Sequence, residues 1–262
     1  MIILNELIET LSKRKSFILE LVRLENTIKK RNTYNIGYLW NIIFNLATIF
    51  VLSVIFSKGF FKEGNYLFYL VLNFFLWGFI SNTLSNSCDI YNSNSNFLLN
   101  NDINFFIFNI KNLLIFFKVL AYSFPILLIF IIKENVFLIN ILLSLTALAL
   151  ICVDVLFASI SISILSLKIK DFDNYTNLIL LLTFYFTPII WSEDILGKTG
   201  SAIIKLNPLY YFFKIYNLPM LNSEIGLNYF IYFILCIIFT IINFLIASII
   251  TKKFIYNLKN YL

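Results

Sequence analysis

Residues 227–250 run without a single charged side chain, and comparable apolar stretches recur along the chain. A helix that is apolar on every side belongs in a bilayer, where about 20 such residues cross the hydrocarbon. Helices also satisfy their own backbone groups there, so the expected fold is an all-α integral membrane protein. Composition agrees: 60% of the 262 residues are hydrophobic and 13% charged, with mean hydropathy +0.86. Too little polar sequence is left for a separate soluble domain of about 50 residues.

The pattern predicts six transmembrane helices, at residues 36–57, 66–84, 113–132, 136–165, 175–191 and 227–250. Tyr34, Tyr38 and Trp40 stand at the start of the first as aromatic anchors. The fourth is long enough to tilt or protrude. Ahead of them, residues 4–31 carry seven Lys or Arg, opposite an apolar stripe of Phe17, Leu21, Leu24 and Ile28 joined by Ile18 and Val22. That spacing predicts an amphipathic helix in the headgroup plane of membrane lipids rather than a plain basic tail. Six spans put both termini on one side. The presumed inner segments hold seven basic residues at the start, two at Lys168 and Lys170, and three at Lys252, Lys253 and Lys259. These twelve face six in the outer loops, which predicts cytoplasmic termini: an inner segment over residues 1–35 and a tail over 251–262. No repeat is evident. The first 35 residues are charged and lack a small-residue cleavage site, so no cleavable signal peptide is expected.

Residues 184–226 break the pattern. They hold Pro188, Pro208 and Pro219, three glycines and several charges, with two short apolar pieces between them. Neither piece can span a membrane. Broken backbone at membrane depth needs protein or a water-filled cavity over its polar groups. The stretch therefore predicts a pair of re-entrant helices over residues 192–226, capping a hydrated path and acting as its gate.

Chemistry is sparse. The absence of histidine removes Ser-His-Asp hydrolysis, zinc-protease sites and histidine proton relays. Cys88, Cys152 and Cys236 lack metal-ligand spacing and read as small buried residues. Gly197-Lys198-Thr199 imitates the end of a phosphate-binding loop, but its first glycine is replaced by Ser192. No metal or cofactor site is expected in this chain. Its net charge of +6 lies beside the spans and implies no nucleic-acid partner. Asp154 sits in the middle of the fourth span and Lys118 in the third; a structural pair or a cavity-facing carboxylate is favoured over proton coupling. Between Ser93 and Asn104 lies either a solvated loop or a short helix offering Phe97, Leu98, Leu99 and Ile103 to a partner. Single Asn and Phe residues are discounted, because the chain is rich in both.

Several pieces together resemble the permease subunit of an ABC-type exporter, of the group that moves polysaccharides, O-antigen and teichoic acid. Glu20-Leu21-Val22-Arg23 followed by Ile36-Gly37-Tyr38-Leu39-Trp40-Asn41 is similar to the family's interfacial helix and L-G-x-x-W element. Phe75-Leu76-Trp77-Gly78-Phe79 with Asn82, then Ser93 to Leu99, resembles its second span and coupling helix. Lys168-Ile169-Lys170-Asp171 resembles a basic-acidic step after the fourth span. Thr187-Pro188-Ile189-Ile190-Trp191 and Leu206-Asn207-Pro208-Leu209 resemble its S-P-V-I-Y and L-N-P-L elements. The chain departs from the family in having Asn45-Leu46 where N-P is expected, and Asn100-Asn101-Asp102 in place of a basic pair.

The resemblance implies a homodimer in the bacterial inner membrane, paired with two copies of a separate cytoplasmic ATPase that binds the ATP and Mg. It implies a lipid-linked glycan as cargo and an aromatic-lined channel. ATPase coupling falls on Asn96, Phe97, Leu98, Leu99, Ile103, Lys168, Lys170 and Asp171. The gate falls on Pro188, Trp191, Asn207, Pro208, Tyr210 and Tyr211. Aromatic faces can stack on sugar rings, as they do on bases. The same architecture exporting a drug, lipid or peptide is the alternative. An integral membrane glycan or lipid transferase is another, though no paired acidic motif lies at a membrane face. An ion channel would need a charged ring or carbonyl filter.

Overall fold

The computed structural model describes residues 2–32, 39–56, 66–100, 104–195, 197–221 and 225–254, and every regular element among them is helical. Ile103 lies outside the described residues. In chain order the helices are α1 (Ile2–Lys13), α2 (Lys15–Asn32), α3 (Leu39–Phe56), α4 (Tyr66–Ser87), α5 (Ile90–Ser93), α6 (Ser95–Asn100) and α7 (Phe106–Tyr122). They continue with α8 (Phe124–Lys133), α9 (Leu138–Lys168), α10 (Phe172–Phe186), a single 3-10 turn at Glu193–Ile195, α11 (Lys198–Ile204), α12 (Pro208–Met220) and α13 (Leu227–Phe254).

Three helices, α4, α9 and α13, are long and apolar enough to cross a membrane, and α7 with α8 passes the same test only as a pair, bent by 43° at a short break. This is a multi-pass membrane protein. The other two expected spans are shorter: the apolar part of α3 covers Ile42–Ile55, and α10 has 15 residues, against the roughly 20 of a full crossing. α10 ends at Phe186 instead of 191, since Thr187 precedes a proline and is forced into extended backbone. The third span starts at Phe106, not 113. Lys111 hid its beginning, but that ammonium is paired with Glu25 of α2 at 2.6 Å. The bend falls at Ser123. Pro125 in the next turn has no N–H to give the preceding helix, and the Ser123 hydroxyl donates to Leu120 O at 2.6 Å.

The N-terminal segment is two helices rather than one. Its buried positions are Ile3 and Leu7 in α1 and Ile18 and Val22 in α2, which face α7 and α13. Leu24 and Ile28, on the stripe expected to meet lipid, are 54% and 59% exposed on the protein surface. The tight turns at Asn135 and Asp171 take left-handed backbone, φ 51° and 59°, where Asn and Asp are tolerated.

The bundle has two apolar centres. At one end, α1, α2, α5 and α6 close over the start of α7 and the far ends of α9 and α13. Toward the other, α4 and α12 pack with α8, the first half of α9 and the start of α13. Between α4, α7 and α9 runs a chain of buried hydrogen bonds. Tyr91 OH donates to Asn109 Oδ1 at 2.6 Å, and Asn109 Nδ2 donates to Ser159 and Ser163 at 2.9 and 2.8 Å. The Ser87 and Ser159 hydroxyls lie 2.8 Å apart, and Asn112 Nδ2 donates to Thr83 O at 2.9 Å. Asparagine and serine discounted as background are thus the polar contacts that fix three helices together, where lipid offers no hydrogen-bond partner.

Candidate functional site

A groove of about 560 Å³ lies between α3, α4 and α10. On α4 its lining residues are Phe74, Trp77, Gly78, Ser81, Asn82 and Ser85, one continuous face at three- and four-residue spacing. Trp40, Phe44 and Asn45 of α3 form one side, and Asn177, Leu180, Leu181 and Phe184 of α10 the other. Phe184 ties the aromatic floor together, tilted against Trp77 at 5.6 Å and edge-on to Phe74 at 6.0 Å. Ser85 donates to Asn177 Oδ1 at 2.6 Å, holding α10 to α4. α3 comes close at Gly78: a Cβ there would sit 3.1 Å from Asn45 Nδ2, so that amide would have to give by a few tenths of an ångström. The sequence reading noted Trp40 as a membrane anchor and missed the groove. The periodic face of α4 was its readable signal.

At one end of the bundle, residues 187–221 form a cap. The Tyr69 hydroxyl donates to the carbonyls of Pro188 and Trp191, the latter at 2.9 Å, and Tyr66 OH donates to Ile190 O at 2.9 Å. Pro188 is buried and Trp191 half-buried. Asn207 opens α12: its Oδ1 accepts from Leu209 N at 3.0 Å, and its Nδ2 donates to Thr187 Oγ1 at 2.8 Å. Pro208 follows at the first helical position, where no N–H is missed. The L-N-P-L element is therefore a helix start bonded to the end of α10.

α12 is buried among α4, α9 and α13 rather than laid over a water-filled space. Asn217 Nδ2 donates to Asn73 Oδ1 of α4 at 2.7 Å. Protein, the other cover open to broken backbone, satisfies this segment. Tyr210, expected as an open aromatic surface, is fully buried, and its hydroxyl donates to Glu193. Tyr211 is half-buried, with its hydroxyl on Lys205 O at 2.9 Å. Lys214 Nζ lies 2.5 Å from Glu193 Oε1. Burial works to raise the Glu193 carboxyl, but the Lys214 ammonium and the two hydrogen bonds win and bring it below its ordinary value of 4.5. The pair's stabilisation is accordingly present above 4.5 and lost as pH falls through the lowered value. Glu193→Gln is expected to lower the melting temperature at neutral pH, and its deficit against the parent protein to shrink on acidification; thermal scans of both proteins across pH check this.

The other end holds the expected coupling residues, and they separate. Leu98 is fully buried, and Phe97 is half-buried, stacked at 6.1 Å on Phe17 of α2 and edge-on to Phe108 at 5.9 Å. Leu99, 46% exposed, and Asn96 face outward. Lys168, Lys170 and Asp171 form an exposed corner between α9 and α10, with Lys168 Nζ 4.5 Å over the Phe254 ring.

Asp154 does not meet Lys118. Its Oδ1 accepts from Asn243 Nδ2 of α13 at 2.8 Å, while Lys118 Nζ lies 5.6 Å over Tyr122 on its own helix. The carboxylate is a link between α9 and α13.

No family model matches the chain. Two curated proteins do, both named O-antigen export system permease protein RfbA, from Klebsiella pneumoniae. Each is 24% identical, over 185 and 181 residues, covering 66% of this chain and 68% of the relative. The chain is similar to these O-antigen export permeases. The resemblance drawn from its motif order is thus met by similarity over 66% of its length. The groove, the cap and the exposed corner are three separate surfaces of the bundle.

Proposed function

We propose that this chain is the transmembrane permease subunit of an ABC transporter that exports a lipid-linked polysaccharide across the inner membrane. The similarity to two O-antigen export permeases over about two thirds of the chain carries this reading. In it, α3, α4, α7 with α8, α9, α10 and α13 are six crossings, both termini are cytoplasmic, and two copies enclose the path. Short α3 and α10 flank the groove, so a locally thin wall sits where the glycan travels. Phe, Trp, Asn and Ser on that face suit sugar: rings stack on the apolar faces and amides take the hydroxyls.

Energy comes from two copies of a separate ATPase carrying ATP and Mg. It bears on Leu99 and Asn96 of α6 and on the Lys168–Asp171 corner. Phe97 and Leu98, rooted between α2 and α7, pass its push into the spans. The Pro188–Pro219 cap closes the opposite end.

Deleting the gene should abolish surface polysaccharide, and complementation should restore it. Intact surface polysaccharide with lost drug tolerance would instead assign a different cargo.

A further inference from the structure

We infer that the glycan carried in the α3–α4–α10 groove has uncharged repeating units; this rests on the export reading above. None of the described residues lining the groove is ionisable. The absence extends beyond the lining. α3 and α4 contain no Asp, Glu, Lys or Arg along their whole lengths, and α10 contains one, Asp173, in its first turn. The polar groups offered are amides and hydroxyls, those of Asn45, Ser81, Asn82, Ser85 and Asn177.

The chemistry of that set selects its ligand. A neutral sugar presents hydroxyls that amide and hydroxyl groups can match, and C–H faces that lie on Trp and Phe rings. A uronate or phosphate on the repeat would enter an aromatic, low-dielectric wall with no cation to meet it. An unpaired charge in such surroundings is strongly disfavoured. Hydrocarbon is a poorer occupant, because a lipid tail would offer nothing to Asn45 and Ser81, although Asn82 Nδ2 is already bonded to Gly78 O at 2.6 Å and Ser85 to Asn177. The inference concerns the repeating sugars and not the group that joins the chain to its lipid.

The test expresses the permease with its ATPase in the deletion strain, supplied either with a neutral-repeat glycan or with the same glycan bearing a uronic acid in each repeat. Surface display of the neutral polymer is expected to exceed that of the acidic one at least about tenfold, a factor worth 1.4 kcal/mol. Asn82→Lys, which places an ammonium in the groove, is expected to narrow that ratio by raising acidic display. Equal display of the two glycans by the parent permease overturns this inference and leaves export intact. Display of neither overturns export and this inference together. In a version lacking the native cysteines, Asn82→Cys is expected to react with a membrane-impermeant thiol reagent. Shielding by lipid, or a disulfide between two copies, would give the groove to those occupants and overturn the proposal.

Discussion

Leu98→Asp is expected to yield no folded protein, whereas Leu99→Asp folds and loses the ATPase. The two residues are adjacent in α6 and opposite in environment. Leu98 has no exposed surface and sits in the apolar centre that joins α1, α2, α7, α9 and α13. Its replacement forfeits about 2–3 kcal/mol of burial and adds an unpaired carboxylate costing several kcal/mol more. Together these rival the whole stability of a typical domain, about 5–15 kcal/mol. Leu99 is 46% exposed, so a carboxylate there stays in water and costs the fold little. The assay is size-exclusion of each variant in detergent, followed by capture of the co-expressed ATPase. A Leu99→Asp protein that is monodisperse and still retains the ATPase would remove α6 from the docking surface.

Asn109→Leu is expected to destabilise the bundle by about 2 kcal/mol, with Tyr91 as the group left stranded. Asn109 is fully buried and holds three partners, but they do not suffer equally. Ser163 keeps a bond to Ser159 O at 2.7 Å, and Ser159 keeps its contact with Ser87. Tyr91 OH has no second acceptor described. Adding Tyr91→Phe removes the orphaned hydroxyl, so the double variant should be less destabilised than the sum of the single changes. Thermal unfolding of the four proteins gives the cycle. Strict additivity would mean that the Tyr91–Asn109 bond contributes nothing.

Apolar runs made the helices legible, and the ends that went wrong have local causes. Lys111 interrupts the apolar run near the start of α7, and its partner, Glu25, stands far back in sequence. Pro125 gave a visible signal for the bend within the third span, and α10 could not continue through Thr187-Pro188. A pattern on one helix does not say which of its apolar residues meet protein and which meet lipid. Ile18 and Val22 of α2 turn inward onto the bundle, while Leu24 and Ile28 stay on its surface. Two short helices, α11 and α12, occupy the stretch whose prolines broke the apolar pattern. Its enclosure by protein was not readable, because the sequence does not say which helices will surround a short segment. The groove was missed for a different reason: Asn45, Ser81 and Asn82 look like background in an asparagine-rich chain. Only when α3 and α10 flank α4 do they share one wall with Trp40, Trp77 and Phe184.

The packing of α12 between α4, α9 and α13 also limits how such a machine can move. A helix clasped on several sides, and pinned to α4 through Asn217 and Asn73, cannot swing aside like a flap. In the homodimer proposed above, passage would have to widen along the seam between the two copies, each carrying its own lid rigidly with it, as the halves of a mould part around what they hold.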